Sequence, residues 1–262
     1  MKITEMNLIR WAGLSALIAG ICYVIVGIFH PANIPASVTS TRWAGFEAML
    51  AGICYMLVGI FHPANIPASV TSSSWFIVHV LACAMCFFGL LGMTGLYTRQ
   101  AEKSGWLGLA GFVLLSLWFA LILGFSFVEA FILPFLATAM PTFVEGWMGM
   151  LVGPASKFDL GVLPTLWTLS GLLYILGGLL FGIGTFRAGV LPRWAGALLA
   201  LGTILPVVLS SVVHHPYDRL FAVPVGLALI WLGLALFTEL RAPALEPVPG
   251  MVNPQPVQTG TD

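Results

Sequence analysis

Apolar residues run through this chain in long unbroken stretches, neither alternating as in a half-buried strand nor confined to one stripe of a helix. Seven such stretches stand out, over residues 11–29, 43–61, 75–97, 105–133, 162–186, 192–213 and 220–240. Each is close to or beyond the roughly 20 residues that cross a bilayer core as a helix. A closed barrel would instead need alternating ten-residue segments. The pattern therefore predicts an all-α fold: a polytopic transmembrane helix bundle of about seven spans, occupying residues 1–240.

Punctuation between the stretches supports these boundaries. Trp11, Trp43, Trp75, Trp106 and Trp194 stand at or near segment starts, where an indole keeps its N–H wet and its ring among the headgroups. Pro164 and Pro192 sit where a helix start tolerates proline. Pro206 and Pro224 fall inside the last two stretches and predict kinks there, since each removes a backbone donor. Residues 134–161, with Glu145, Trp147, Lys157 and Asp159, are too polar to cross and predict an interfacial helix or folded loop. Beyond residue 240, five prolines crowd a 22-residue tail, 241–262, whose composition predicts disorder.

Composition changes the picture only by excluding alternatives. The chain is 59% hydrophobic and 8% charged, against about a quarter charged in a soluble domain, so lipid is the expected main partner. The formal net charge is zero, and no run of Lys or Arg could neutralise a string of phosphates, which removes nucleic acid as a partner. Cys22, Cys54, Cys83 and Cys86 all lie in apolar stretches and read as small packing residues. The C-x-x-C at Cys83 and Cys86 lacks the second ligand pair or βαβ context that a zinc or redox motif needs. The stretch 11–29 is longer than a signal-peptide core and reads as a retained span.

Residues 10–41 and 42–73 form a tandem repeat: of 32 aligned positions seven differ, leaving 25 identical. No later segment repeats, so this is a local duplication of one helix and its loop, and the expected ancestral core has six spans. Within the copies, Ala12, Ala16, Gly20 and Ala44, Ala48, Gly52 recur every four residues, as do Gly178 and Gly182 further on. Such strips let helices approach closely; intrachain packing, including copy against copy, is the first expectation and a homo-oligomer through these faces the second.

Positive charge orients the bundle. With seven spans and an exterior N-terminus, Arg42, Arg99, Lys103, Arg187, Arg193 and Arg241 fall on the cytoplasmic side, against Lys2, Arg10, Lys157 and Arg219 outside. If the first copy stays inside, Lys2 and Arg10 join the cytoplasmic set. Both arrangements place the 99–103 and 187–193 connections in the cytoplasm.

The remaining candidate chemistry gathers at the opposite, outer level. His62 ends the second stretch, and His79 lies about 6 Å of helical rise past Trp75. His214 lies about 33 Å past Pro192 and Glu129 about 36 Å past Gly105, against a core of roughly 30 Å. His62, His79, Glu129, His214 or His215, and Asp218 thus share one end. Imidazole with carboxylate suits zinc or another divalent ion, and facing imidazoles could hold haem iron. Against this, the interface is where polar side chains cost least, the HP and HHP sequences also serve as helix stops, and no H-x-x-x-H spacing puts two ligands on one face. Glu47, which replaces Ser15 of the first copy, lies near the cytoplasmic end of its span and is expected to snorkel.

The RWAG starts, the helix ending in FHP, LPRWAGALLALG at 191–202 and GLALIWLGLALF at 226–237 resemble bacterial multi-span membrane proteins grouped as domains of unknown function. The resemblance covers most of residues 42–240 and implies an inner-membrane location, with no activity or catalytic residues attached. Three functional classes stay open: a non-enzymatic envelope or partner-binding protein, a metal- or haem-dependent enzyme at the outer face, and a small-solute transporter.

Overall fold

The computed structural model describes residues 38–152, 158–209, 212–213 and 217–239. The first repeat copy up to residue 37, His214, His215 and the 241–262 tail lie outside them. Among the described residues the chain is all helical, with no strand. Its helices are α1 (Val38–Phe61), α2 (Ser73–Phe127), α3 (Leu133–Ala139), α4 (Pro141–Val152), α5 (Leu163–Ala188), α6 (Arg193–Leu209) and α7 (Ala222–Glu239). Among the described residues, four helical stretches are long and apolar enough to cross a membrane: Thr41–Phe61, Ser73–Ala139, Leu163–Ala188 and Tyr217–Thr238.

The 67-residue stretch Ser73–Ala139 is not one rod. At Gly105 the backbone takes φ 56° and ψ −152°, a conformation open to glycine and costly for residues with a Cβ. The chain turns back there. Tyr97 stacks on Phe112 with centroids 4.7 Å apart, Phe76 meets Phe131 at 5.7 Å, and the Trp75 indole reaches the Glu129 carbonyl at 2.8 Å. Partners that step down one leg as they step up the other define an antiparallel hairpin, with legs 73–104 and 106–127.

Small residues set the spacing of the other neighbours. A Cβ added at Gly92 would lie 2.6 Å from Ala48 Cα, and Gly95 abuts Ala44; α1 is therefore antiparallel to the first leg. Gly45 faces Gly233 and Gly52 faces Gly226, so α7 runs antiparallel to α1. In the same way Gly111 meets Phe181 and Gly177 meets Leu115, Gly182 meets Gly196, and Gly202 meets Val225. Among the described residues six helical legs alternate in direction around a ring, and the predicted strips at Ala44, Ala48 and Gly52 and at Gly178 and Gly182 are packed within the chain. The interior holds Met93, Phe119, Phe181, Leu199 and Leu232, whereas Phe61, Phe87, Leu172, Leu201 and Val208 point outward, as in a bundle whose solvent is lipid. Trp43, Trp106 and Trp194 are strongly exposed near leg ends, where aromatic belts form.

One expectation changes. Pro224 is the third residue of α7, inside the first turn, where helix N–H groups have no intrahelical acceptor in any case; it starts the helix and does not kink its interior. Pro206 does lie within α6. The stretch after residue 133 takes the helical one of its two expected forms, and α4 buries Phe143, Val144, Trp147 and Met148. These four join Val70, Trp75, Phe125, Leu133 and Leu160 in a second apolar cluster at one end of the ring.

Candidate functional site

The alternation of legs brings the end of α1, the start of the first α2 leg, the end of the second, and the 217–221 turn to one level. Within it, Val128–Ile132 is a π-helical turn. Its cause is Pro134, which has no N–H to offer the Ala130 carbonyl. The ladder slips by one residue, and the Leu133 N–H bonds to Val128 O, five residues back. The Glu129 carbonyl thereby loses its usual helical donor, and the Trp75 indole N–H takes the place at 2.8 Å. π-turns of this kind recur at functional positions.

The same turn aims the Glu129 side chain into the bundle. Glu129 is 7% exposed and His79 is 2% exposed. Glu129 Oε1 accepts from Trp147 Nε1 at 3.1 Å, and Oε2 lies 3.3 Å from His79 Nε2. His79 Nδ1 is 2.7 Å from the Trp75 carbonyl, and its ring lies 4.2 Å from the Trp75 ring. A buried carboxylate is costly without partners; here two side chains from two different helices serve it.

His62 stands beside this pair, its ring 4.9 Å from that of His79 and edge-on to it. Its Nδ1 is 2.7 Å from the Pro63 carbonyl. The Arg219 guanidinium donates to the carbonyls of His62 and, at 2.7 Å, of Pro63, tying the FHP turn to the segment before α7.

On the other side of His62 lies an open cavity of about 600 Å³. Tyr55 and Tyr174 line it, joined by a hydroxyl–hydroxyl bond of 3.0 Å. His62, Asn65, Asp218 and Arg219 form its polar wall, and Val58, Pro206 and Phe221 contribute apolar surface. Two hydroxyls sharing one bond use only one of their two hydrogens, so one tyrosine O–H is left to donate. Asn65 Oδ1 is buried with no hydrogen-bond partner among the described residues. The cavity thus holds an unspent donor and an unspent acceptor. From Tyr55 to His62 is seven residues, about 10 Å of helical rise, so the tyrosine lies well inside the bundle.

No family model, no curated protein and no solved structure matches the chain. Its chemistry has to be read from its own side chains.

Of the five residues singled out from sequence, His79 and Glu129 meet directly, His62 packs on His79, Asp218 lies on the cavity wall, and His214 falls outside the described residues. Among the described residues no group of three or more His, Cys, Asp or Glu side chains is placed to hold a metal ion. Trp75, Trp147, Arg219, Tyr55 and Tyr174 are neighbours of these residues that sequence reasoning did not select. Two tyrosines within otherwise apolar helices were the available signal, because a buried phenol requires a hydrogen-bond partner.

Proposed function

We propose that this is a non-enzymatic multi-pass protein of a bacterial inner membrane that binds a small molecule in the cavity at its outer end. The observation behind the reading is the cavity of about 600 Å³, which falls within the roughly 300–1,000 Å³ of small-molecule sites. Its spare tyrosine hydroxyl hydrogen and the unpartnered Asn65 oxygen suit a ligand that carries both an acceptor and a donor, with apolar surface against Val58, Pro206 and Phe221.

In this reading the six alternating legs are six crossings, the duplicated first copy adds a seventh, and the turn at Gly105 with Arg99 and Lys103 is cytoplasmic. A reporter fused after residue 101 reads as cytoplasmic; an exterior reading overturns the orientation. For binding, small molecules extracted from the purified full chain are compared with those from Val58→Trp, which fills the cavity from its apolar wall. A species present with the unsubstituted chain and lost in the variant, at unchanged helicity, supports the reading. Identical extracts overturn it.

A further inference from the structure

The contact between His79 and Glu129 carries a constraint on where protons sit. A neutral imidazole has one N–H. In His79 it must be on Nδ1, because the atom 2.7 Å away is the Trp75 carbonyl oxygen, which can only accept. Nε2 then presents a lone pair, and what it faces at 3.3 Å is Glu129 Oε2. A lone pair against an ionised carboxylate oxygen is repulsive, and at this depth water does not screen it. The carboxyl group is also held from its other side, where the Trp147 N–H occupies Oε1. The contact is favourable only if one proton lies between the two atoms. Imidazolium with carboxylate and imidazole with carboxylic acid are two descriptions of that one state.

We propose that His79 and Glu129 together form a proton-binding site inside the membrane, holding one proton between Nε2 and Oε2 and exchanging it with the cavity past the ring of His62. The ionisable groups around the pair come from several elements. Glu129 acts on Cys83 of the first α2 leg, and His62 after α1 and Arg219 before α7 act on His79. The α3 helix has no ionisable side chain, and Glu145 of α4 is exposed, away from the pair. Arg219 is the cation among these neighbours, and its guanidinium holds the carbonyls of His62 and Pro63 at the cavity wall. Because Arg219 acts on His79, occupancy of the proton site is coupled to the wall where His62, Asp218 and Arg219 line the cavity. The site stands whether or not the cavity takes a ligand.

Infrared difference spectra of the reconstituted full chain between acid and alkaline buffer, in H2O and D2O, test this. Glu129→Gln keeps the fold, because its amide nitrogen can donate to His79 Nε2 while its oxygen accepts from Trp147, yet it removes the shared proton. The expected result is a carboxyl signal, sensitive to deuteration, that is lost in Glu129→Gln, shifted in His79→Gln and retained in Glu47→Gln. The exchange route is read from the same signal: Val58→Trp, which fills the cavity, slows its deuteration without moving it. A Glu129 signal identical in the unsubstituted chain and in His79→Gln overturns the shared proton. So does a pH-independent spectrum accompanied by stoichiometric metal that Glu129→Gln abolishes. Equal deuteration rates with and without Val58→Trp overturn the route through the cavity.

Discussion

Two regions of this bundle are held together by opposite means. Along the seam between α1, the first α2 leg and α7, glycine and alanine meet backbone directly, with Gly92 against Ala48, Gly52 against Gly226 and Gly45 against Gly233. At the end of the ring, Trp75, His79, Glu129 and Trp147 are joined by directed hydrogen bonds. Lipid offers no hydrophobic penalty for separating helices, so association draws on close packing and on polar contacts between legs. The seam uses the first and the end uses the second. The seam is accordingly intolerant of volume and indifferent to polarity, while the end tolerates isosteres and fails on deletion.

The sharpest break of this contrast is Gly92→Leu. The nearest atoms are the Ala48 backbone, which cannot swing aside as a side chain could, so the cost is about 3 kcal/mol or more, at the top of the usual overpacking range. Reversible unfolding in mixed detergent should show it, and a change under about 1 kcal/mol would mean the seam can open. Next is Glu129→Ala, which strands the Trp147 N–H and the His79 imidazole together and should cost about 2 kcal/mol. Glu129→Gln, measured alongside, should stay within about 0.5 kcal/mol of the unsubstituted chain; equal losses for Ala and Gln would show that the end depends on charge and not on hydrogen bonding. Trp147→Phe removes one donor, keeps most of the ring, and should cost about 1 kcal/mol. The smallest effect belongs to Tyr55→Phe, which breaks the bond to Tyr174 in the cavity and should cost about 0.6 kcal/mol, typical of interhelical bonds in lipid.

Much of the helical layout was legible because lipid makes hydropathy an unusually direct signal. Stretches 43–61 and 162–186 fall inside or nearly inside α1 and α5, and the ends of α6 and α7 lie within a few residues of the predicted ones. The common level of His79 and Glu129 followed from helical rise alone. Rotation about each helix axis did not, and that is what decides whether two side chains touch. Trp147 was read as part of an interfacial stretch, since hydropathy averages over a helix and hides its faces. The spacing of Phe143 with Trp147, and of Val144 with Met148, one helical turn apart, was the trace of the buried side. Arg219 was counted as a topological charge, although its partners are the backbone carbonyls of His62 and Pro63, and carbonyl partners leave no mark in a sequence. The slip of the ladder at Val128–Ile132 was likewise invisible, though Pro134 supplies its cause.

The turn at Gly105 acts as a gear setting. With a single residue out of helical geometry between the legs, there is no slack loop to absorb a change in length. One inserted residue would rotate the second leg by about 100° and advance it by about 1.5 Å, carrying Glu129 out of reach of His79 while leaving the hydropathy of the leg unchanged. Insertions of about seven residues in one leg, close to two full turns, restore the angle but raise Glu129 by about 10 Å, so only a matched insertion in the other leg returns it to the level of His79. Descendants of this gene that change length at the hairpin while retaining the pair should therefore do so on both legs at once, a constraint that hydropathy alone would never enforce.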